Sequence, residues 1–113
     1  MVKVTHILCM LEVCDKNILN DKNKLVNILK KAASDGEMSV LKISSVKFKP
    51  VGLSIILTIA ESHIAIHTWP EISKADLEIV SCGKRLNSLK VLNQILKDIK
   101  VTNITKKVIC LSL

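Results

Sequence analysis

The pattern of apolar and polar positions predicts five β-strands, most of them by alternation with a period of two. They are residues 2–13, 38–48, 53–60, 75–82 and 103–111. The third segment is apolar at both alternating sets of positions apart from Ser54 and Thr58. That composition is typical of a central strand that is covered on both sides or lies in a subunit contact.

A further segment carries apolar residues at helical spacing, with lysines on the opposite face. It follows Asn20 and Asp21, whose side chains can cap a helix. It ends near Ser34, because Gly36 tolerates the left-handed backbone geometry that closes many helices.

A second helix is predicted by the apolar spacing of residues 89–99, with Asn87 or Ser88 as its cap. The predicted order of elements is therefore β-α-β-β-β-α-β. This order places helices on one face of an antiparallel sheet. The expected fold class is α/β, more specifically α+β: a two-layer sandwich of an antiparallel sheet with two helices on one face.

The composition indicates which residue types form the hydrophobic core. Of the 113 residues, 49% are hydrophobic but only 2% are aromatic, so the core must be built from Ile, Leu and Val. A chain of this length can bury one hydrophobic core but not two. Residues 1–113 are therefore predicted to form a single domain.

The charge is strongly positive but scattered along the chain. Seventeen Lys and Arg residues against ten Asp and Glu give a formal net charge of +7. Only one of these cations is an arginine, and no aromatic residues interleave with a basic stripe. No nucleic-acid partner is therefore expected.

The cysteines and the apolar runs indicate where the protein works. Four cysteines, none in a C-x-x-C pair, suggest neither a zinc site nor a disulfide framework, so no metal is expected. His6 and Glu12 interrupt the apolar start, which is unlike a signal peptide. The apolar run 51–60 is far shorter than the roughly 20 residues of a membrane helix, so no membrane contact is expected. The expected location is cytoplasmic.

Polar chemistry is concentrated in residues 61–71, Glu-Ser-His-Ile-Ala-Ile-His-Thr-Trp-Pro-Glu, which contain two of the three histidines. One interpretation is a hydrolase with Ser62 as nucleophile and His67 as base, although no G-x-S-x-G motif surrounds the serine. A second is a metal site of His63, His67 and Glu71, but this histidine spacing suits a helix, which the proline opposes. A third is that both histidines are simply polar residues of a strand.

The same segment, followed after eleven residues by Cys-Gly, resembles the prokaryotic S-adenosylmethionine decarboxylases, small pyruvoyl-dependent enzymes of polyamine (spermidine) synthesis. Residues 5–8 (Thr-His-Ile-Leu) and 14–15 (Cys-Asp) match the opening strand of that family. Residues 48–54 (Phe-Lys-Pro-x-Gly-x-Ser) match the loop before its apolar strand. The resemblance covers most of the chain.

The resemblance implies a proenzyme that cuts itself between Glu61 and Ser62. In this family the serine hydroxyl attacks the preceding carbonyl, and the ester is lost by β-elimination after a base removes the α-proton. The products would be a β chain of residues 1–61 and an α chain of residues 62–113 that begins with a pyruvoyl group. The pyruvoyl ketone forms a Schiff base with the substrate amine and acts as electron sink when carbon dioxide leaves.

Five other residues stand at functional positions of this family. His67 matches the residue assigned to proton transfer during processing, and Ser54 matches one that assists the acyl shift. Cys82 matches the proton donor of decarboxylation. Phe48 matches a ring that stacks on adenine, and Glu71 a carboxylate that holds the ribose hydroxyls.

The resemblance also implies a homodimer with shared active sites. One protomer would supply Ser62 and Cys82, and the other would supply Phe48, Ser54, His67 and Glu71.

The chain departs from the family after Glu71. The family usually continues with Tyr-Gly-Tyr-Ala-Ala, whereas residues 72–76 here are Ile-Ser-Lys-Ala-Asp. Three functions stay open: decarboxylation of S-adenosylmethionine; decarboxylation of another small amine-bearing carboxylic acid, namely a free basic amino acid such as arginine or ornithine; and an unprocessed, inactive homologue.

Overall fold

Six strands and two helices make up the part of the chain that the computed structural model describes, residues 2–113. The strands are β1 (Lys3–Val13), β2 (Val40–Lys47), β3 (Leu53–Ile59), β4 (Ser62–Trp69), β5 (Lys74–Ser81) and β6 (Val101–Ser112). The helices are α1 (Lys22–Asp35) and α2 (Arg85–Asp98). Two 3₁₀ turns, Lys16–Asn20 and Pro70–Ile72, complete the fold. Met1, the first residue of the predicted domain, lies outside the described residues.

The strands form one sheet in the order β2-β3-β4-β5-β1-β6, and every neighbouring pair is antiparallel. The two helices contact each other and the sheet. The expected α+β sandwich of an antiparallel sheet and two helices is confirmed.

The sheet contains one strand more than the sequence pattern predicts. Residues 62–69 form β4, between β3 and β5, where no strand was assigned. The alternation is hidden here because Ile64, Ala65 and Ile66 are consecutive apolar residues that are all buried. A strand in the middle of a sheet reads as a continuous apolar run.

The core lies between the sheet and the helices and is aliphatic. Every second residue of the central strands is fully buried there, as Leu53, Ile55 and Leu57 of β3 illustrate with 0% exposure. Each such side chain contributes roughly 1.5–3 kcal/mol by leaving water. The apolar stripe of α1 faces the same core.

The end of α1 differs in detail from the prediction. The helix stops at Asp35, but Gly36 has a φ of −89°, and the left-handed residue is Glu37 with a φ of 59°. Gly36 has another role, because a Cβ at this position would lie 2.9 Å from the carbonyl oxygen of Asn87 and would collide with Val91. The missing side chain allows α1 and α2 to approach closely.

The start of α2 also differs. The helix begins at Arg85, and its N-cap residue Lys84 makes no side-chain capping bond, so the prediction of Asn87 or Ser88 as the cap is wrong. Ser88 is instead a fully buried residue within α2. No helix within residues 2–113 is long and apolar enough to cross a membrane.

The face of the sheet opposite the helices, hereafter the open face, carries the other set of alternating residues. It includes the apolar side chains of Leu8, Met10 and Ile56, which are 37%, 45% and 39% exposed. It also includes His63 and His67 of β4. Both histidines of the segment 61–71 thus lie on this face.

Thr68 ties the first 3₁₀ turn to the sheet. Its side chain is 6% exposed. The Oγ1 hydroxyl donates to the carbonyl of Leu19 at 2.7 Å and accepts from the amide of Leu53 at 2.9 Å. One buried hydroxyl therefore satisfies two backbone groups that come from different elements.

Replacing Thr68 by valine should lower the free energy of unfolding by about 2 kcal/mol, because both backbone groups would lose their side-chain partner inside the protein. Urea denaturation measures the change. Thr105→Val on the exposed side of β6 is the matched control and should change the stability by less than about 0.5 kcal/mol. Equal stability of the two variants would contradict this role of Thr68.

Candidate functional site

Ser62 is the first residue of β4 and directly follows a tight hairpin turn. Ile59 pairs with Ser62 across the β3–β4 ladder, so only Ala60 and Glu61 form the connection. Glu61 has a φ of 69°, a left-handed conformation that favours glycine. A glutamate in this region costs of order 1–3 kcal/mol, and such strain concentrates at functional positions. The peptide bond that joins Glu61 to Ser62 therefore begins at a residue with a strained backbone.

Cys82 lies at the same end of the sheet as Ser62. It directly follows β5, whose residue Val80 pairs with His63 of β4. The Cys82 thiol is partly buried and lines a cavity of about 740 Å³. The charged residues that line this cavity are all cations: Lys3, Lys84 and Arg85.

Ser54 and His67 lie near the opposite end of β3 and β4. They are direct cross-strand partners, and Ser54 Oγ and His67 Nδ1 share a hydrogen bond of 2.7 Å. Both side chains are partly buried on the open face. The hydroxyl and the imidazole can therefore exchange a proton directly.

A cavity of about 430 Å³ adjoins this pair and contains Phe48 and Glu71. Phe48 follows β2 and is 49% exposed, so its ring is free to contact a ligand. Glu71 is exposed in the second 3₁₀ turn. Trp69 also lines the cavity. An aromatic face and a carboxylate thus open into the same space.

The structure separates these two groups of residues within one chain. Ser62 and His67 are five residues apart on one straight strand, which corresponds to roughly 16 Å. A Ser62–His67 hydrolase pair therefore cannot form within a single chain. His63 and His67 are roughly 13 Å apart by the same rise, which is too far for one metal ion. Within residues 2–113 no group of three or more His, Cys, Asp or Glu side chains could hold a metal.

The space between the two groups is a third cavity, of about 410 Å³, which follows β4 on the open face from Ser62 to His67. His63 Nε2 and Glu78 Oε1 share a hydrogen bond of 3.1 Å at its side. Both side chains are 38% exposed, so water screens this pair. The sequence pattern did not reveal this contact.

Residues 72–76, which depart from the usual sequence of the family, include one residue with a left-handed backbone. Ser73 stands where the family has glycine, and its φ is 56°. This left-handed conformation is one that glycine adopts more easily than serine. Asp76 faces the site, because it pairs with His67 across the β4–β5 ladder.

Asn20 contacts the loop beside the cavity of Phe48 and Glu71, which the sequence does not indicate. It was assigned to the cap of α1, but the side chain that caps α1 is Asp21, which accepts from the amide of Lys24 at 3.2 Å. The Oδ1 atom of Asn20 instead accepts from the amide of Gly52 at 3.1 Å. No local signal predicts a hydrogen bond between residues so distant in the chain.

Similar proteins agree with this architecture. A family model described as S-adenosylmethionine decarboxylase matches residues 5–110. An S-adenosylmethionine decarboxylase proenzyme of Saccharolobus islandicus is 43% identical over 86 residues, which cover 76% of this chain and 70% of that protein. One of Acetivibrio thermocellus is 35% identical over 100 residues, covering 88% and 81%. The crystal structure of the adenosylmethionine decarboxylase from Aquifex aeolicus superposes with a TM-score of 0.89 and 25% identity, covering 96% of this chain and 89% of that one.

The cysteines should differ in reactivity. Burial raises the pKa of the Cys9 thiol from 9.0 to about 11, with Lys106 lowering and Asp76 raising it to smaller extents. Because only the thiolate is nucleophilic, the reactive fraction of Cys9 near pH 8 is about 100-fold smaller than without this shift. Iodoacetamide at pH 8 should therefore modify the exposed Cys14 well before Cys9, as peptide mass analysis can follow. Equal rates for the two thiols would contradict this.

Proposed function

The chain belongs to the S-adenosylmethionine decarboxylase family, and on this premise we propose that it cuts itself between Glu61 and Ser62 and then decarboxylates S-adenosylmethionine. The observation that carries the proposal is the position of Ser62. It directly follows a residue with a φ of 69° in a two-residue turn. No observation favours a free basic amino acid as substrate.

Self-cleavage uses the chain's own atoms. The Ser62 hydroxyl oxygen attacks the carbonyl carbon of Glu61, and the Ser62 nitrogen leaves as an amine, so that the amide becomes an ester. Removal of the Ser62 α-proton expels the Glu61 carboxylate, and hydrolysis of the product releases ammonia. Relief of the left-handed geometry at Glu61 favours the first step. The expected products are residues 1–61 and 62–113.

His67 and Ser54 suit the proton transfers of this sequence. Histidine is the side chain best adapted to take up and release protons near neutral pH. The 2.7 Å hydrogen bond to Ser54 Oγ fixes the orientation of the His67 ring and leaves Nε2 free for the α-proton. Ser54 in turn can donate to the oxygen that develops charge during the acyl shift.

The surroundings of Ser62 fit a pyruvoyl group, because Ser62 opens into the cavity along β4 and is only partly buried. Such a group supplies a ketone that bonds to the substrate amine and withdraws electrons from the breaking carbon–carbon bond. Cys82 is proposed to deliver the proton that replaces carbon dioxide, since its thiol lies at the same end of the sheet. Free cysteines suit a reducing cytoplasm as its place of action.

The cavity beside His67 is proposed to hold the adenosine part of the substrate. The ring of Phe48 offers a flat surface for adenine, and the carboxylate of Glu71 can accept from two ribose hydroxyls. Both line the same cavity of about 430 Å³. The charged residues that line this cavity are Glu71 and Lys49.

A homodimer would complete the site. The Ser62 group and the His67 group lie roughly 16 Å apart in one chain. A two-fold axis that lies outside the protomer, over the open face opposite the middle of β4 near Ala65, would place the Ser62 end of one protomer beside the His67 end of its partner. The exposed apolar side chains of Leu8, Met10 and Ile56 on the open face would be buried in this contact.

Denaturing intact-mass measurement tests the cleavage. The wild-type protein should give two chains that end at Glu61 and begin at position 62. Ser62→Ala removes the nucleophile, so this variant should remain one chain with an unchanged circular dichroism spectrum. The same variant should release no labelled carbon dioxide from S-adenosylmethionine, whereas the wild-type protein should release it. An uncleaved wild-type chain, or a cleaved one that is inert towards this substrate, would refute the proposed function.

Mixing two inactive variants tests the shared site. Ser62→Ala and His67→Ala should each remain largely uncleaved as homodimers. A mixed dimer contains one site with the Ser62 of the His67→Ala chain and the His67 of the other, so co-expression should restore cleavage of the His67→Ala chain alone. Mass analysis identifies the cut chain. If co-expression restores no cleavage although mixed dimers form, the site is not shared between protomers.

A further inference from the structure

The loop that carries Phe48 makes few hydrogen bonds to the rest of the protein. Residues 48–52 close on themselves through a hydrogen bond from the Phe48 amide to the Gly52 carbonyl at 2.8 Å. Phe48 is 49% exposed and does not belong to the core. The position of its ring therefore depends on how the base of this loop is held.

Gly52 is the point at which the loop meets the rest of the protein. Its φ is 112°, and a Cβ here would lie 3.2 Å from the carbonyl oxygen of Thr68, so the backbone is pressed against β4. Its amide donates to Asn20 Oδ1 at 3.1 Å. Within residues 2–113 this is the single side-chain hydrogen bond that reaches the loop.

Asn20 belongs to a rigid element. It is the last residue of the 3₁₀ turn Lys16–Asn20, in which Ile18 and Leu19 are buried. The turn is capped by Asp15, whose side chain accepts from the Asn17 amide at 3.0 Å. The Leu19 carbonyl is bound by Thr68 of β4. The turn is thus fixed to the sheet on one side and presents Asn20 Oδ1 to Gly52 on the other.

We infer that Asn20 is a positioning residue of the adenosine site: its side-chain carbonyl holds Gly52, and through the Phe48–Gly52 bond it fixes the ring that contacts adenine. This inference rests on the proposed function for the role of Phe48. Asn20 itself touches no reacting atom. Its effect belongs to substrate binding and not to cleavage of the chain.

Steady-state kinetics with S-adenosylmethionine separate these roles. Asn20→Ala should raise KM about tenfold, the effect of one lost hydrogen bond of ordinary strength, and leave kcat and the extent of self-cleavage within about twofold. Asn20→Asp retains an acceptor oxygen and should behave like the wild type. Asn17→Ala is the matched control, since it lies in the same turn with an exposed side chain.

A double-mutant cycle tests whether Asn20 acts through Phe48. In a Phe48→Ala background, Asn20→Ala should add less than about twofold to KM, because the ring that it positions is gone. A full tenfold increase in that background would overturn the inference. An equal rise of KM in Asn20→Ala and Asn20→Asp would also overturn the inference. So would a decrease of kcat and of self-cleavage that parallels a decrease in Tm.

Hydrogen exchange and binding keep the inference testable even if the proposed function fails. The Gly52 amide should exchange at least about tenfold faster in Asn20→Ala than in Asn17→Ala, because only the first change frees this amide. Adenosine binding, followed by the fluorescence of Trp69 in the same cavity, should weaken in parallel. A wild-type protein that releases no carbon dioxide refutes the decarboxylase proposal alone. Unchanged Gly52 exchange or unchanged adenosine binding refutes the role of Asn20.

Discussion

Burial of one face of the sheet beneath α1 and α2 is the interaction on which the rest of the structure depends. Because side chains alternate along every strand, the aliphatic set that packs against the helices fixes the register of the four inner strands, β1, β3, β4 and β5. The same register decides which residues face the other way. Ser54 stands opposite His67 on the open face because Leu53 and Thr68 stand on the buried one. Core packing therefore determines which way these polar side chains face. A shift of one residue in the register of β4 would remove both His63 and His67 from the open face.

Much of this arrangement could be predicted from the sequence, and the parts that could not have physical reasons. Apolar patterning predicted five strands, most of them by alternation, and helical spacing predicted both helices, because burial on one face leaves a clear period. The sixth strand, β4, lacks that period since Ile64, Ala65 and Ile66 are all buried. The motif from Glu61 to Glu71 identified the family from residue types in fixed order. It did not reveal Asn20, because a hydrogen bond to a backbone amide 32 residues away leaves no local pattern.

The site residues divide by the kind of element that holds them. Ser54 and His67 lie within paired strands, whose neighbours on both sides limit their movement. Phe48 and Glu71 lie in connecting segments, as do positions 72 and 73 of the segment that departs from the family, whereas positions 74–76 belong to β5. Under the proposed function, the residues of proton transfer are thus held within the sheet, and those of ligand contact lie outside it.

The strand order has a consequence for the cleaved protein. Strands β1, β2 and β3 precede the bond between Glu61 and Ser62, and β4, β5 and β6 follow it. In the sheet the two sets are interleaved, so that β3 lies against β4 and β1 lies between β5 and β6. The two fragments would thus share three ladders of backbone hydrogen bonds. Each fragment would keep only one two-stranded ladder, β2–β3 or β4–β5, and an isolated pair of strands is at best marginally stable, so separating the fragments would unfold most of both. After cleavage the two fragments would therefore stay together as one folded unit. Only the new chain end at position 62 would be free to change its local structure.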